Sequence, residues 1–474
     1  MYNSGMSKNR EESPLAPLHS IAALATAPAP AGVAVIRVSG GQTTSAIEAL
    51  FRARTSPIEH PREMCFGSIL NHKNGDVIDH GLCVYMPGPR SFTGEDVAEF
   101  HTHGSPLIAK RVLQSLFAFG ITPAEPGEFT KRAFLNGKID LVQAEAIGEL
   151  ITATSESALR IASDNLSGKL SRFIDSIAEP LRDLLAEVQA SLDFPEEDIS
   201  PSQISEMDES LIRVKSDLQQ LLESFAIGKR MREGYKVLLC GPPNAGKSSL
   251  LNALLGRPRA LVSDISGTTR DFIEEECVLG NHRFVICDSA GITETDDVVE
   301  KLGIELSLEK LKWADLVLLI IDAGAEYPDI DALTHLIGKD AENIWMITNK
   351  VDVNKSAIGK YYCDGNTCRQ NFYLSAKTGD GLDSLRSALI EEVEGSRQNF
   401  SESNSILTQA RQAHLIERAI MHLHAAAETL TNGAGLEFVS EEIRLTLLQL
   451  EEIVGRTFTE DVLGRIFSKF CIGK

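Results

Sequence analysis

Gly241-Pro242-Pro243-Asn244-Ala245-Gly246-Lys247-Ser248 follows the apolar run 236–240 and leads through Ser249 into a helix-forming stretch that ends near Leu255. Glycines in a strand-to-helix turn let backbone N–H groups close around phosphate oxygens at a helix N-terminus. A lysine placed as Lys247 neutralises the β and γ phosphates, and a hydroxyl placed as Ser248 ligates Mg²⁺. Such a turn by itself is often only packing. The complete pattern between a strand and a helix points instead to a phosphate-binding loop made of Asn244, Ala245, Gly246, Lys247, Ser248 and Ser249.

Downstream, apolar runs at 283–287, 316–322, 344–348 and 371–374 alternate with helical stretches, the order of a parallel sheet covered on both faces. Segment 229–395 is therefore predicted to be a P-loop α/β domain. On either side the apolar period turns helical. Leu166, Leu170, Phe173, Ile174 and Ile177 share one face before the domain, and Ile443, Leu447, Leu450 and Val454 share one after it. Two half-bundles with exposed apolar faces can bury them against each other, so 139–228 and 396–474 are predicted to form one helical domain into which the α/β domain is inserted. An acidic break around Pro195 and Pro201 is expected over 193–209. Residues 21–138 mix apolar runs at 33–38 and 82–85 with turn signals such as Asn74-Gly75 and a helix-like 107–119, which predicts a small mixed domain. Residues 1–20 are polar and are expected to be a disordered tail. The chain thus reads as multidomain, α/β plus α.

The base is selected by Asn349-Lys350-Val351-Asp352. A carboxylate at Asp352 accepts both the ring N–H and the exocyclic amine of guanine, a donor pair that adenine does not present. Read alone, this tetrapeptide is an ordinary polar loop. After a P-loop, and followed by Ser375-Ala376-Lys377, which resembles the remaining guanine loop of GTPases, it makes GTP the expected substrate. Asp288-Ser289-Ala290-Gly291 closes a strand between these motifs, where Asp288 can hold the water of the magnesium ion and Gly291 can approach the γ-phosphate. Ile292 follows, so the Gln that orients the attacking water in Ras-type enzymes is absent. Ser263, Asp264, Ile265, Ser266, Gly267, Thr268 and Thr269 supply the expected switch loop, with Thr269 as second protein ligand to Mg²⁺.

Composition narrows the function further. Asp and Glu outnumber Lys and Arg by 67 to 46, a net charge of −21, which argues against a chain that coats nucleic acid or anionic membrane through bulk positive charge. The 8 cysteines lack framework spacing, as expected of reduced thiols in a cytosol, and Cys363 with Cys368 alone does not make a metal site. No run approaches the roughly 18 apolar residues that span a bilayer, so a soluble cytoplasmic protein is expected. Segment 21–27 has the look of a short leader core, but His19 interrupts it and the run at 33–38 continues as a strand. His101 and His103 lack a third ligand for zinc. Cys471 stands four from the end, yet Gly473 and Lys474 do not suit prenylation.

Taken together, GPPNAGKSSLLN at 241–252, SDISGTTRD at 263–271, DSAG at 288–291, NKVD at 349–352, PGPRSFTGEDV at 87–97, PGEFTKRAFLNGKIDL at 126–141 and GRIFSKFCIGK at 464–474 resemble the MnmE (TrmE) family of tRNA-modification GTPases from about residue 20 onward. Two departures are Ser289 and Ser263, where relatives often carry Thr. The resemblance implies a Ras-like G domain and an N-terminal α+β domain with a tetrahydrofolate-binding-like fold that mediates homodimerisation. It also implies K⁺ in place of an arginine finger, held by Asn244, Ser263, Ile265 and Thr268, and a catalytic Glu300 that orients water. A folate, as the 5-formyl or 5,10-methylene derivative, would meet Arg37, Glu99, Lys138 and Lys474. The implied activity is K⁺-stimulated, dimerisation-activated GTP hydrolysis. It is coupled to placing an aminomethyl or carboxymethylaminomethyl group on carbon 5 of the wobble uridine of certain tRNAs, in a heterotetramer with the FAD-dependent MnmG. Two rivals share the G domain. A ribosome-assembly switch would carry a basic KH-like module, whereas here the flanks are acidic helices, and a plain GTPase scaffold would bind no folate.

Overall fold

The computed structural model describes residues 19–193, 201–256, 274–288, 308–324, 343–359, 369–395, 405–433 and 435–474. It divides into two compact units, Met1–Gly148 with Val454–Lys474, and Glu149–Ile453.

In the first unit, β1 (Ile21–Leu24), β2 (Ala31–Ser39), β3 (Phe51–Ala53), β4 (Cys65–Leu70), β5 (Val77–Met86), β6 (Val97–Gly104) and β7 (Thr122–Pro123) form one sheet in the order β3-β4-β5-β6-β2-β1-β7. Every pairing is antiparallel except β1 with β7. Alternation divides β2 and β6 between two faces. Ile36, Val38, Ala98 and Phe100 join the core beneath the helices Thr43–Leu50 and Pro106–Phe119, while Arg37 and Glu99 stand in register on the opposite face. The leader-like segment proves to be strand β1, because Ile21, Ala22 and Ala23 are buried and both edges of the strand are paired. Residues 19 and 20, which fall in the expected tail, are among the described residues. Ser20 is buried, its Oγ accepts the Gln42 N–H at 2.8 Å, and residues 1–18 lie outside the described set. Helix Glu460–Phe467 packs Leu463 and Phe467 against Phe134 and Leu141, so the last residues of the chain join this unit.

In the second unit, β8 (Tyr235–Cys240), β9 (Glu274–Leu279), β10 (His282–Asp288), β11 (Leu316–Asp322), β12 (Ile344–Asn349) and β13 (Gln370–Tyr373) take the order β13-β12-β11-β8-β10-β9. All neighbours are parallel except the hairpin β9-β10. The apolar runs predicted as strands become β8 and β10 to β13. Strand β9 escapes hydrophobic reading because Glu274, Glu275 and Glu276 occupy a sheet edge, where one side needs no apolar partner. Central β8 has β11 on one side and β10 on the other, so the chain leaves it in both directions and a crevice opens at the C-terminal strand ends.

The long helices of the unit are Lys169–Asp193, Pro201–Glu233, Ala410–Asn432 and Leu436–Val454, the last ending at the boundary with the first unit. Of the break expected over 193–209, residue 193 and residues 201–209 are helical, and 194–200 lie outside the described residues. The helix before the sheet meets the segment after it closely. Leu407 N–H donates to Ser224 Oγ at 3.1 Å, and a Cβ on Gly228 would fall 1.9 Å from the Leu407 carbonyl oxygen. Gly228→Ala should therefore destabilise this unit by about 2 to 3 kcal/mol through overpacking, read as a lower midpoint in urea unfolding. An unchanged midpoint would contradict this packing.

Candidate functional site

Strand β8 ends at Cys240, and the next residue, Gly241, has φ +147 with the Ile320 carbonyl oxygen 2.0 Å from where a Cβ would stand. Only glycine fits so close to β11. Gly246, at φ +95, caps the helix Lys247–Leu255, and a Cβ there would lie 2.2 Å from Asn349 Nδ2. The turn between them presents the N-terminus of that helix, with its unpaired N–H groups and positive dipole end, to a cleft of about 510 Å³ lined by Asn244, Gly246, Lys247, Ser248, Ser249 and Lys350. Lys247 is buried, and its Nζ donates to the Gly241 and Pro242 carbonyls at 2.7 and 3.1 Å. Ser248 Oγ donates to Asp288 Oδ2 at 2.8 Å, which brings two hard oxygen donors from β10 and the loop to one point.

The second loop docks on the first. Asn349 is buried at the end of β12; its Nδ2 donates to the Ala245 carbonyl at 2.9 Å, and its Oδ1 accepts the N–H groups of Lys350 at 2.8 Å and Ala376 at 3.0 Å. Lys350 adopts φ +64, and its Nζ reaches the Asn244 carbonyl at 2.6 Å. Asp352 Oδ1 is buried without a hydrogen-bond partner among the described residues. Ser375 is buried, its N–H bonded to the Asp380 carbonyl, while Lys377 is exposed.

Thus Asn244, Ala245, Gly246, Lys247, Ser248, Ser249, Asp288, Asn349, Lys350, Asp352, Ser375, Ala376 and Lys377 cluster at the C-terminal ends of β8, β10, β12 and β13. Ser263, Asp264, Ile265, Ser266, Gly267, Thr268, Thr269, Ser289, Ala290, Gly291 and Glu300 lie outside the described residues. One neighbour was missed by motif reading. Asp322, the last residue of β11, pairs with Lys350 Nζ at 2.7 Å, and its signal was an acid ending the apolar run 316–321.

On the other unit, Arg37 and Glu99 bind each other at 2.8 Å, with Arg37 Nη1 also reaching the Gly473 carbonyl at 3.4 Å. A hydrogen bond from His101, with the charge and hydrogen bond of Arg37, holds the Glu99 carboxyl below its ordinary range against the opposing effect of burial. The Lys474 carbonyl accepts the Phe129 N–H, fixing the tail beside the Arg37 ring contact with Phe129. Lys138 Nζ points to the Pro89 carbonyl at 2.9 Å. Arg37, Glu99 and the tail are brought together, and Lys138 is engaged with a separate turn. Sequence reading missed His101 as the partner that keeps Glu99 ionised.

Residues 20–138 match the family model described as GTP-binding protein TrmE N-terminus, and residues 141–471 match the MnmE helical domain. The chain is 38% identical over 457 residues to the tRNA modification GTPase MnmE of Geobacter sulfurreducens, covering 96% of this chain and 99% of that one. It is 41% identical over 460 residues to that of Opitutus terrae, with 96% and 99% covered, and 38% identical over 462 residues to that of Thermotoga maritima, with 96% and 100% covered. Because Gly246 abuts Asn349, Gly246→Ala should separate the two loops and weaken binding of a fluorescent GDP by about tenfold or more. Wild-type affinity in that titration would show that the loops need not touch.

Proposed function

The chain belongs to the MnmE family of tRNA modification GTPases, and from that premise we propose that residues 244–249, 349–352 and 375–377 hold the GTP it hydrolyses. The carrying observation is Asp352 Oδ1, buried and unpaired among the described residues. A buried carboxylate oxygen is costly without donors, and the edge of guanine supplies two. Lys247 and the N–H groups ahead of helix Lys247–Leu255 receive the phosphates; Ser248 would ligate Mg²⁺ with Thr269 as second protein ligand, and Asp288, whose carboxylate lies beside the Ser248 hydroxyl, would hold the ion's water. Ser263 to Thr269 form the switch loop, and Asp288, Ser289, Ala290 and Gly291 the γ-phosphate side.

Catalysis in this reading needs a substitute for the missing Gln at Ile292, and Glu300 orients the water. Asn244, through its amide oxygen, with Ser263, Ile265 and Thr268 would hold a potassium ion, which would supply positive charge beside the phosphates. Pairing of two G domains in a homodimer activates hydrolysis. Residues 21–138 bind a 5-formyl or 5,10-methylene tetrahydrofolate through Arg37, Glu99, Lys138 and Lys474. Glu99, kept ionised, suits the donor edge of a pterin, while Arg37 serves it as partner and orienter. The G domain, 229–395, sits between helical segments 139–228 and 396–474. With FAD-dependent MnmG in a heterotetramer, the cytoplasmic assembly builds the aminomethyl or carboxymethylaminomethyl group on carbon 5 of wobble uridine. The match of both flanking domains to the family favours this reading over a ribosome-assembly switch or a scaffold.

Asp352→Asn should cost GTP affinity about 2 to 4 kcal/mol and shift preference toward xanthine nucleotides; unaltered affinity in a binding titration would reject the base assignment. Hydrolysis should run faster in K⁺ than in Na⁺ at equal ionic strength, and Asn244→Ala should remove that difference while nucleotide still binds. Equal rates in both salts for the unmodified chain would leave Asn244 without this role.

A further inference from the structure

Lys350 is held in an uncommon state. Its φ of +64 lies in the left-handed region, where few residues other than glycine settle, and its flexible stem crosses the nucleotide cleft with the ammonium fixed at the far end. Two acceptors fix it: the Asn244 carbonyl at 2.6 Å and Asp322 Oδ2 at 2.7 Å. Asn244 belongs to the phosphate loop and Asp322 to β11, so the lysine joins the base loop to both. Asp322 is itself constrained. It stands in register with Asn349 on the neighbouring strand, and its Oδ1 accepts the Gly324 N–H at 2.8 Å. The next residue continues the link, since Ala323 N–H donates to the Asn349 carbonyl at 2.8 Å and its carbonyl accepts Asn354 Nδ2 at 2.9 Å. Burial raises the Asp322 carboxyl, but the Lys350 hydrogen bond, the Gly324 N–H and the lysine charge together hold it below its ordinary value, so it is ionised when it meets the ammonium.

We propose that Asp322 is a positioning residue for guanine nucleotides: it holds the Lys350 ammonium against the phosphate loop so that the lysine stem is already laid along the cleft when the base arrives. The proposal rests on the base-loop reading of residues 349–352. The carboxylate does not touch nucleotide; its effect is preorganisation, which lowers the ordering cost that a flexible lysine otherwise imposes on binding. A neutral amide in its place keeps the shape and loses the charge-assisted bond. An aspartate that only stabilised the end of β11 would act on folding and would do so whether or not Lys350 had an ammonium.

The test is a double-substitution cycle on the full chain, read by fluorescent GDP titration and by GTP hydrolysis kinetics. Asp322→Asn should raise the GDP Kd by about tenfold, with the loss in hydrolysis carried by KM more than by kcat. Lys350→Met should weaken GDP at least as much, and the double variant should bind no worse than Lys350→Met alone. Penalties that add in the double variant, or an Asp322→Asn protein within twofold of wild type beside a weakened Lys350→Met, would overturn this proposal while leaving the base loop in place. Wild-type GDP affinity in Lys350→Met would overturn both.

Discussion

The buried amide of Asn349 makes three hydrogen bonds at once, to the Ala245 carbonyl and to the N–H groups of Lys350 and Ala376. Those bonds tie the loop after β8 to the loops after β12 and β13, and the Lys350 ammonium on the Asn244 carbonyl adds a second tie between the first two. The Ala245 carbonyl is withdrawn from water, and leaving a buried group of this kind unpaired costs about 1 to 3 kcal/mol. The geometry of the cleft follows from this one side chain. Gly246 must lack a Cβ because the amide nitrogen occupies that space, and Ala245 must turn its carbonyl inward, which leaves Gly246 at positive φ to start the helix.

The sheet supplies the rigidity that such an arrangement needs. Strands β8, β11 and β12 are apolar along almost their whole length because both faces are covered, and their C-terminal ends fall side by side at the crevice. Polar residues appear where the strands emerge: Asp288, Asp322 and Asn349 each end one. Packing therefore sets the spacing of the loops, and the emergent polar residues decide what the loops can bind.

This division explains what could be read in advance. Buried parallel strands write themselves as continuous apolar runs, and a phosphate loop needs residue types at fixed spacing, so the α/β domain and Lys247, Ser248 and Asp352 were legible. Strand β9 was hidden because an edge strand tolerates glutamates on its open side. Strand β1 was masked by small residues, Ala22 and Ala23, whose burial depends on pairing with β2 and β7 rather than on pattern. The relation of His101 to Glu99 was likewise invisible in motif terms. Two residues apart on a strand they share a face, and the hydrogen bond acts on Glu99 together with Arg37, which stands opposite on β2.

Asp322 belongs to the same class of hidden residue, and it shows why motif reading stops short of the site. A motif records groups that meet the ligand, since those must keep their spacing. A group that acts through another side chain needs only to reach it, and β11 lies between β8 and β12 in the sheet, so any acid at its C-terminal end faces both loops. The ammonium of Lys350 answers to that carboxylate on one side and to the Asn244 carbonyl on the other. Asn244, itself at positive φ, turns its carbonyl toward that ammonium. One lysine thus links the loop after β8, the end of β11 and the loop after β12, three segments that the sheet alone holds only at their strand ends.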